Sequence, residues 1–179
     1  VHDWGGAIGM GYAVRHPENI SQFVIFNTAA FPSKRIPFSI NICRIPGFGA
    51  LAIRGLNAFA KSALIRAAKK KEHLTPSVRA GYLNPYNSWS NRVAHLRFVQ
   101  DIPMSKKHRS YSALKQIADG LIQLRDKPML IVWGAHDFCF NDEFLEEWKV
   151  RFPAAEVHYV EDAGHYVVED APEQIISWM

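Results

Sequence analysis

Cysteine is nearly absent from this 179-residue chain: Cys43 and Cys139 are the only two, far apart and without a Cys-x-x-Cys or Cys/His ligand spacing. That excludes a small disulfide scaffold, argues against a structural zinc site and suits a reducing compartment. No metal or other cofactor is expected. Long apolar runs are missing as well. Arg44, Pro46, Arg54 and Lys61 interrupt every window of the most apolar helical stretch, which excludes a membrane span there. Neither internal repeats nor low-complexity tracts occur. With 48% apolar and 21% charged residues the composition is that of an ordinary globular chain, long enough to build a core.

Acidic residues are scarce in one region only. Residues 33–127 hold 18 Lys or Arg against Glu72, Asp101, Asp119 and Asp126, a net +14, whereas residues 1–32 carry −1 and residues 128–179 carry −9. The overall +4 therefore hides a strongly basic insert between near-neutral and acidic flanks. Such a segment can face a membrane surface or acidic partner proteins, or be no more than a solvated face. It contains no helix-turn-helix, RNP-like or zinc pattern, so nucleic acid is not the expected partner. The expectation is a cytoplasmic protein, with peripheral membrane or protein-assembly contact through the basic segment.

Hydrophobic patterning divides the chain the same way. A helix follows Trp4 and stops at His16-Pro17, and residues 22–27 (QFVIFN) read as a short strand. Residues 128–134 (PMLIVWG) form the continuous apolar run of a strand buried on both faces. An amphipathic helix from near Asn141, a strand over 155–160 and a final helix over 171–179 follow. This order predicts an α/β fold, a parallel sheet with crossover helices and an inserted helical cap. Residues 1–32 and 128–179 would form the core and 33–127 the cap. Within the cap, residues 48–66 predict one helix with Leu56, Phe59, Ala60, Ala63 and Leu64 on one face and Arg54, Asn57 and Lys61 opposite. That face either packs on its own domain or meets an acyl chain or membrane surface.

The chemistry is concentrated at predicted strand ends. Val1-His2-Asp3-Trp4-Gly5-Gly6 has the form of a nucleophile elbow, where a strand turns sharply into a helix and presents one side chain. Asp3 holds the nucleophile position. A carboxylate with an ordinary pKa of about 3.9 is already ionised near neutrality and needs no base before it attacks. Asp137 follows the apolar strand in WGAHD, and His165 follows the next in DAGHYVVED. Singly, Asp3 could be a helix cap, Asp137 a turn residue and His165 a loop histidine. Jointly, three strand ends carrying a nucleophile, a base and its orienting acid point to catalysis. His2, His136 and His158 gain nothing from this pattern and are read as structural.

The elbow HDWGG, the strand end FNTAAFP, the segment GYLNPYNSWSNRVAHLRFVQDIP and the tail DAGHYVVEDAPE together resemble the haloalkane dehalogenase and epoxide hydrolase branch of the α/β-hydrolases. Within it, the chain is most similar to the dehalogenase-like β-lactone decarboxylases of bacterial olefin biosynthesis. The resemblance implies an Asp3, His165, Asp137 triad acting through a covalent Asp3 intermediate on a small apolar electrophile. It places the backbone N–H of Trp4 in an oxyanion site and the Trp4 indole at a departing halide, with Trp89 as the visible second donor. For an epoxide, Tyr82, Tyr86 and Tyr111 are the available cap donors. For a β-lactone, Asp3 would attack the carbonyl, and collapse of the resulting anhydride would release CO2 and leave an alkene. Members of this branch carry further strands and a His-Gly-x-Pro loop ahead of the elbow, so a fragment lacking its first strands, inactive alone, is expected. A non-catalytic scaffold would have lost at least one catalytic group, and all three are present.

Overall fold

The computed structural model describes residues 1–179. Three strands, β1 (Phe23–Phe26), β2 (Met129–Gly134) and β3 (Glu156–Val160), form a parallel sheet in the order β1-β2-β3. A short parallel bridge between Asp3 and Thr28 extends the sheet beyond β1, and Phe26 N donates to the Val1 carbonyl at 2.9 Å. The predicted α/β architecture is thus the one observed.

β2 is central because its sequence allows no exposed face. Met129, Ile131 and Trp133 point to one side and Leu130 and Val132 to the other, the two-residue period of a strand, and all are buried. On the first side they meet Met10 and Ala13 of α1 (Trp4–Arg15) and Phe144 and Trp148 of α7 (Asp142–Arg151). On the second they meet Val167 of α8 (Val167–Asp170) and Ile175 of α9 (Pro172–Trp178). Burying each large side chain contributes roughly 1.5–3 kcal/mol, enough to hold the strand ends, and the loops they carry, in a fixed frame.

Between β1 and β2 lie α2 (Phe38–Ile42), α3 (Ala58–Arg66), α4 (Pro76–Leu83), α5 (Val93–Asp101) and α6 (Tyr111–Gly120). Ile53, Leu96 and Val99 form a small core under this insert. α6 packs along α1, and Gln123 donates to the Val14 carbonyl at 2.9 Å, so the end of the insert joins the core layer.

The single helix expected over 48–66 is broken. Residues Ala50–Gly55 form a wide π-type turn, and Asn57, at φ 53°, turns the chain before α3 starts at Ala58. Asparagine tolerates this left-handed conformation, and its amide reaches across to the Tyr86 carbonyl at 3.2 Å. Leu56 is consequently exposed, while Ala60 and Leu64 are buried as the pattern predicts. No helix is long and apolar enough to cross a membrane.

Candidate active site

Asp3 stands where the Val1–His2 edge turns into α1, at φ 48° and ψ −127°, a backbone state that costs a non-glycine residue of order 1–3 kcal/mol. Its surroundings hold it there. Asp3 N donates to the Asn27 carbonyl at 3.1 Å, and the Thr28 hydroxyl donates to the Asp3 carbonyl. A Cβ at Gly6 would collide with that same Thr28 side chain, which explains the small residue after Trp4-Gly5. Asn27 in turn accepts from Gly134 N at 2.8 Å and donates to its carbonyl at 3.0 Å, locking the ends of β1 and β2 together. The Thr28 carbonyl accepts from the Trp148 indole at 2.8 Å. The run FNTAAFP is therefore the scaffold of the elbow.

Asp137 sits three residues beyond β2 with a fully buried carboxylate. One oxygen accepts the backbone N–H groups of Cys139 and Phe140, at 2.5 and 3.0 Å. The other accepts from His165 Nδ1 at 2.7 Å. That bond fixes the tautomer and turns His165 Nε2 toward Asp3, whose Oδ2 lies 3.6 Å away. Asp3, His165 and Asp137 are thus brought into one line, as their positions at the strand ends imply.

The charges in this line are uneven. Burial pulls the His165 pKa down, but the hydrogen bond to Asp137 and the charges of Asp137 and Asp3 outweigh it and raise it to about 9. Asp3 lies in a crevice, surrounded by protein yet with 47% of its side chain accessible. Desolvation raises its pKa, but the close approach and charge of His165, with His2 and the Trp4 N–H, bring the balance below the ordinary carboxylate value. The balance favours the protonated imidazole beside Asp3 and Asp137.

Three further groups support the line, none of them expected at the site from sequence. His2 Nε2 donates to the His165 carbonyl at 2.8 Å and its ring lies 4.5 Å from that of His165. Burial and the neighbouring His165 charge press its pKa down to about 4, so it remains neutral. Its structural reading stands, but as a support of His165. Asp170, buried in α8, accepts Gly164 N at 2.7 Å and also Lys69 N and Lys70 N at 2.8–2.9 Å. One carboxylate therefore ties the His165 loop to the insert. Tyr166 N donates to the Ala67 carbonyl at 2.8 Å, and a Cβ at Gly164 would strike that carbonyl, so the two segments are in close backbone contact. Tyr166 itself lies beside His165, with its hydroxyl pKa raised by burial and by Asp3 to about 12. Only the Gly164-His165 pair inside a polar tail hinted at this staple.

Trp4 and the residues expected of the cap occupy different settings. Trp4 packs its indole against Phe98 of α5, ring centroids 5.0 Å apart. Trp89 is half exposed and lies beneath the Arg54 guanidinium, 4.4 Å from the ring centroid. Tyr82 donates its hydroxyl to Glu169 at 2.8 Å and stacks on Tyr166 at 4.7 Å. Tyr86 packs its ring against His95, tilted, with centroids 3.8 Å apart. Tyr111 begins α6. An open cleft of about 280 Å³, lined by Trp4, Ala7, Ile8, Pro103, Leu114 and Ile117, runs along α1 from the elbow.

Asp137, Cys139 and His165 place their donor atoms within 4.8 Å of one another, a spacing that a metal could use. The donors are otherwise engaged: Asp137 is filled by His165 and two N–H groups, and burial pushes the Cys139 thiol far up, away from the thiolate a metal needs.

Comparison with known proteins places these features in context. The family model described as alpha/beta hydrolase fold matches residues 1–172. The chain is 44% identical to the cis-3-alkyl-4-alkyloxetan-2-one decarboxylase of Shewanella oneidensis, over 99% of this chain and 56% of that protein. It is 40% identical to the decarboxylase of the same name from Xanthomonas campestris, over 98% of this chain and 59% of that one. A haloalkane dehalogenase of Mycobacterium marinum matches at 27% identity over 99% of the chain and 59% of its own length. Among solved structures, a haloalkane dehalogenase from Bradyrhizobium elkani superposes with a TM-score of 0.86 at 21% identity, over 99% of this chain and 64% of that one, a likeness of fold. The chain thus spans somewhat more than half the length of the curated relatives it matches.

Proposed function

We propose that this chain, which belongs to the alpha/beta hydrolase fold family, carries the catalytic apparatus of a β-lactone decarboxylase, with Asp3 as nucleophile and long-chain 3,4-dialkyl oxetan-2-ones as substrates. The observation that carries the reading is the line Asp3, His165, Asp137, joined by the 2.7 Å bond and the 3.6 Å approach. The 44% and 40% identities to two oxetan-2-one decarboxylases support the substrate class.

The Asp3 carboxylate attacks the lactone carbonyl carbon. Cleavage of the bond from that carbon to C3 drives the ring oxygen off C4, giving the alkene and a carbonic anhydride on Asp3. Collapse of the anhydride returns the Asp3 carboxylate and releases CO2. Atoms balance without water, so the role of His165 here is to hold positive charge beside the reacting carboxylate. The Trp4 N–H, which already favours the ionised form of Asp3, is positioned for the developing oxyanion.

The same line supports a hydrolytic second reading, favoured by the Trp4 indole at the elbow and the 27% identity to a haloalkane dehalogenase. Esterification of Asp3 removes one of the two charges that hold the His165 proton. The imidazole then becomes a base able to activate water against the ester. The test assays the full-length protein against a cis-3,4-dialkyl oxetan-2-one, a 1-bromoalkane and an epoxide. Alkene with CO2, released from the lactone and lost in Asp3→Asn, is the expected result. Halide release without alkene would replace it by the dehalogenase reading, and diol by an epoxide hydrolase.

A further inference from the structure

The reaction leaves charge on the ring oxygen as it departs from C4, and none of Asp3, His165 or the Trp4 N–H is assigned to that oxygen. The insert supplies a group suited to it. α5 turns two faces to its surroundings: Leu96 and Val99 enter the insert's small core, while Phe98 packs on Trp4 at the elbow. His95 lies one turn before Phe98, at the i, i+3 spacing that shares a face. Its ring is held by Tyr86 at 3.8 Å and Phe59 at 5.3 Å. Nδ1 is enclosed there without any hydrogen-bond partner. An enclosed N–H lacking an acceptor costs more than an enclosed lone pair, so the proton resides on Nε2, the nitrogen left to meet a ligand. Burial lowers the pKa of this histidine, while the Asp3 charge, within reach of it, acts the other way. The ring is therefore a neutral donor within the insert, near enough to the elbow for the Asp3 charge to act on it.

We infer that His95 contacts the substrate, its Nε2–H donating to the ring oxygen of an oxetan-2-one seated over Asp3. Tyr86 and Phe59 keep the imidazole plane in place. The hydrogen bond strengthens as the C4–O bond breaks, because charge accumulates on that oxygen only then; no proton is transferred, and the oxygen leaves within CO2. His95 is thus the insert's contribution to catalysis. The inference rests on the decarboxylase reading above.

Steady-state kinetics of the full-length protein on a cis-3,4-dialkyl oxetan-2-one, following alkene and CO2, test it with three variants. His95→Leu and His95→Phe, which keep packing and lose the donor, should lower kcat about tenfold or more while KM stays within about twofold. His95→Gln, whose amide places an N–H near the position of Nε2, should recover most of the rate. Thermal unfolding of all three should match the wild type. Wild-type turnover in His95→Leu and His95→Phe would overturn the inference and leave the decarboxylase reading intact. So would equal rate losses in all three accompanied by lower thermal stability, which would make His95 a packing residue for Tyr86. A wild type that yields neither alkene nor CO2 would remove the decarboxylase reading, and the inference with it.

Discussion

The loops at the strand ends and the insert above them are built on opposite principles. The loops of the candidate site are held by buried and partly buried hydrogen bonds: Asn27 with Gly134, Thr28 with Asp3, Asp137 with two N–H groups, Asp170 with three. The insert relies on short helices around Ile53, Leu96 and Val99, with Phe38, Leu51, Leu56 and Ile65 left exposed. On the proposed function, the reacting groups would sit in a network that tolerates little movement, and substrate selection would fall to a looser layer. Asp170 is the exception, because it belongs to both.

Substitutions should separate the two regions by size of effect. The largest belongs to the elbow: Asp3→Asn in the full-length protein should lower turnover on the order of a thousandfold or more with the fold intact, as measured by kinetics and circular dichroism. Retained activity would remove the nucleophile from the account. Next comes the staple. Asp170→Ala leaves the buried Gly164 N–H and the partly buried Lys69 and Lys70 N–H groups without their acceptor and should destabilise by about 2–3 kcal/mol in denaturant unfolding. A loss below about 1 kcal/mol would mean that insert and His165 loop are held independently.

Titration gives a third contrast. The folded-state pKa of His165, about 9, lies above its ordinary 6.5. The folded state therefore binds this proton more tightly, and the stabilisation is complete below about pH 6.5 and lost as pH rises through about 9, amounting to about 3 kcal/mol at most. The unfolding midpoint should fall across that window in the wild type and remain flatter in His165→Gln. The smallest effect belongs to the exposed face of the insert: Leu56→Ser should change stability by no more than about 0.5 kcal/mol.

The same division decided what could be read from sequence. Where one residue type admits one environment, the reading was direct. The unbroken apolar run of β2 could only be a doubly buried strand, and small residues after Asp3 left only a tight turn. Asp137 and His165 followed from their places after strands. Features that depend on distant partners were not legible. Asn57 breaks the expected 48–66 helix because its amide finds Tyr86, far along the chain. His2, His95 and Asp170 acquire meaning only from what they touch. The charge segregation was visible, but not that Arg35 pairs with Glu143 and Lys70 with Asp162 at 2.7 Å, so that part of the basic insert answers the acidic core of the same molecule.

The central claim is a bond to Asp3, and it can be weighed. Rapid-quench mass spectrometry of the peptide containing Asp3, taken from the full-length protein within its first turnover of the electrophile it consumes, should show a substrate-derived mass on Asp3. Substrate consumption with Asp3 unmodified at every quench time, or an adduct on another residue, would contradict the account.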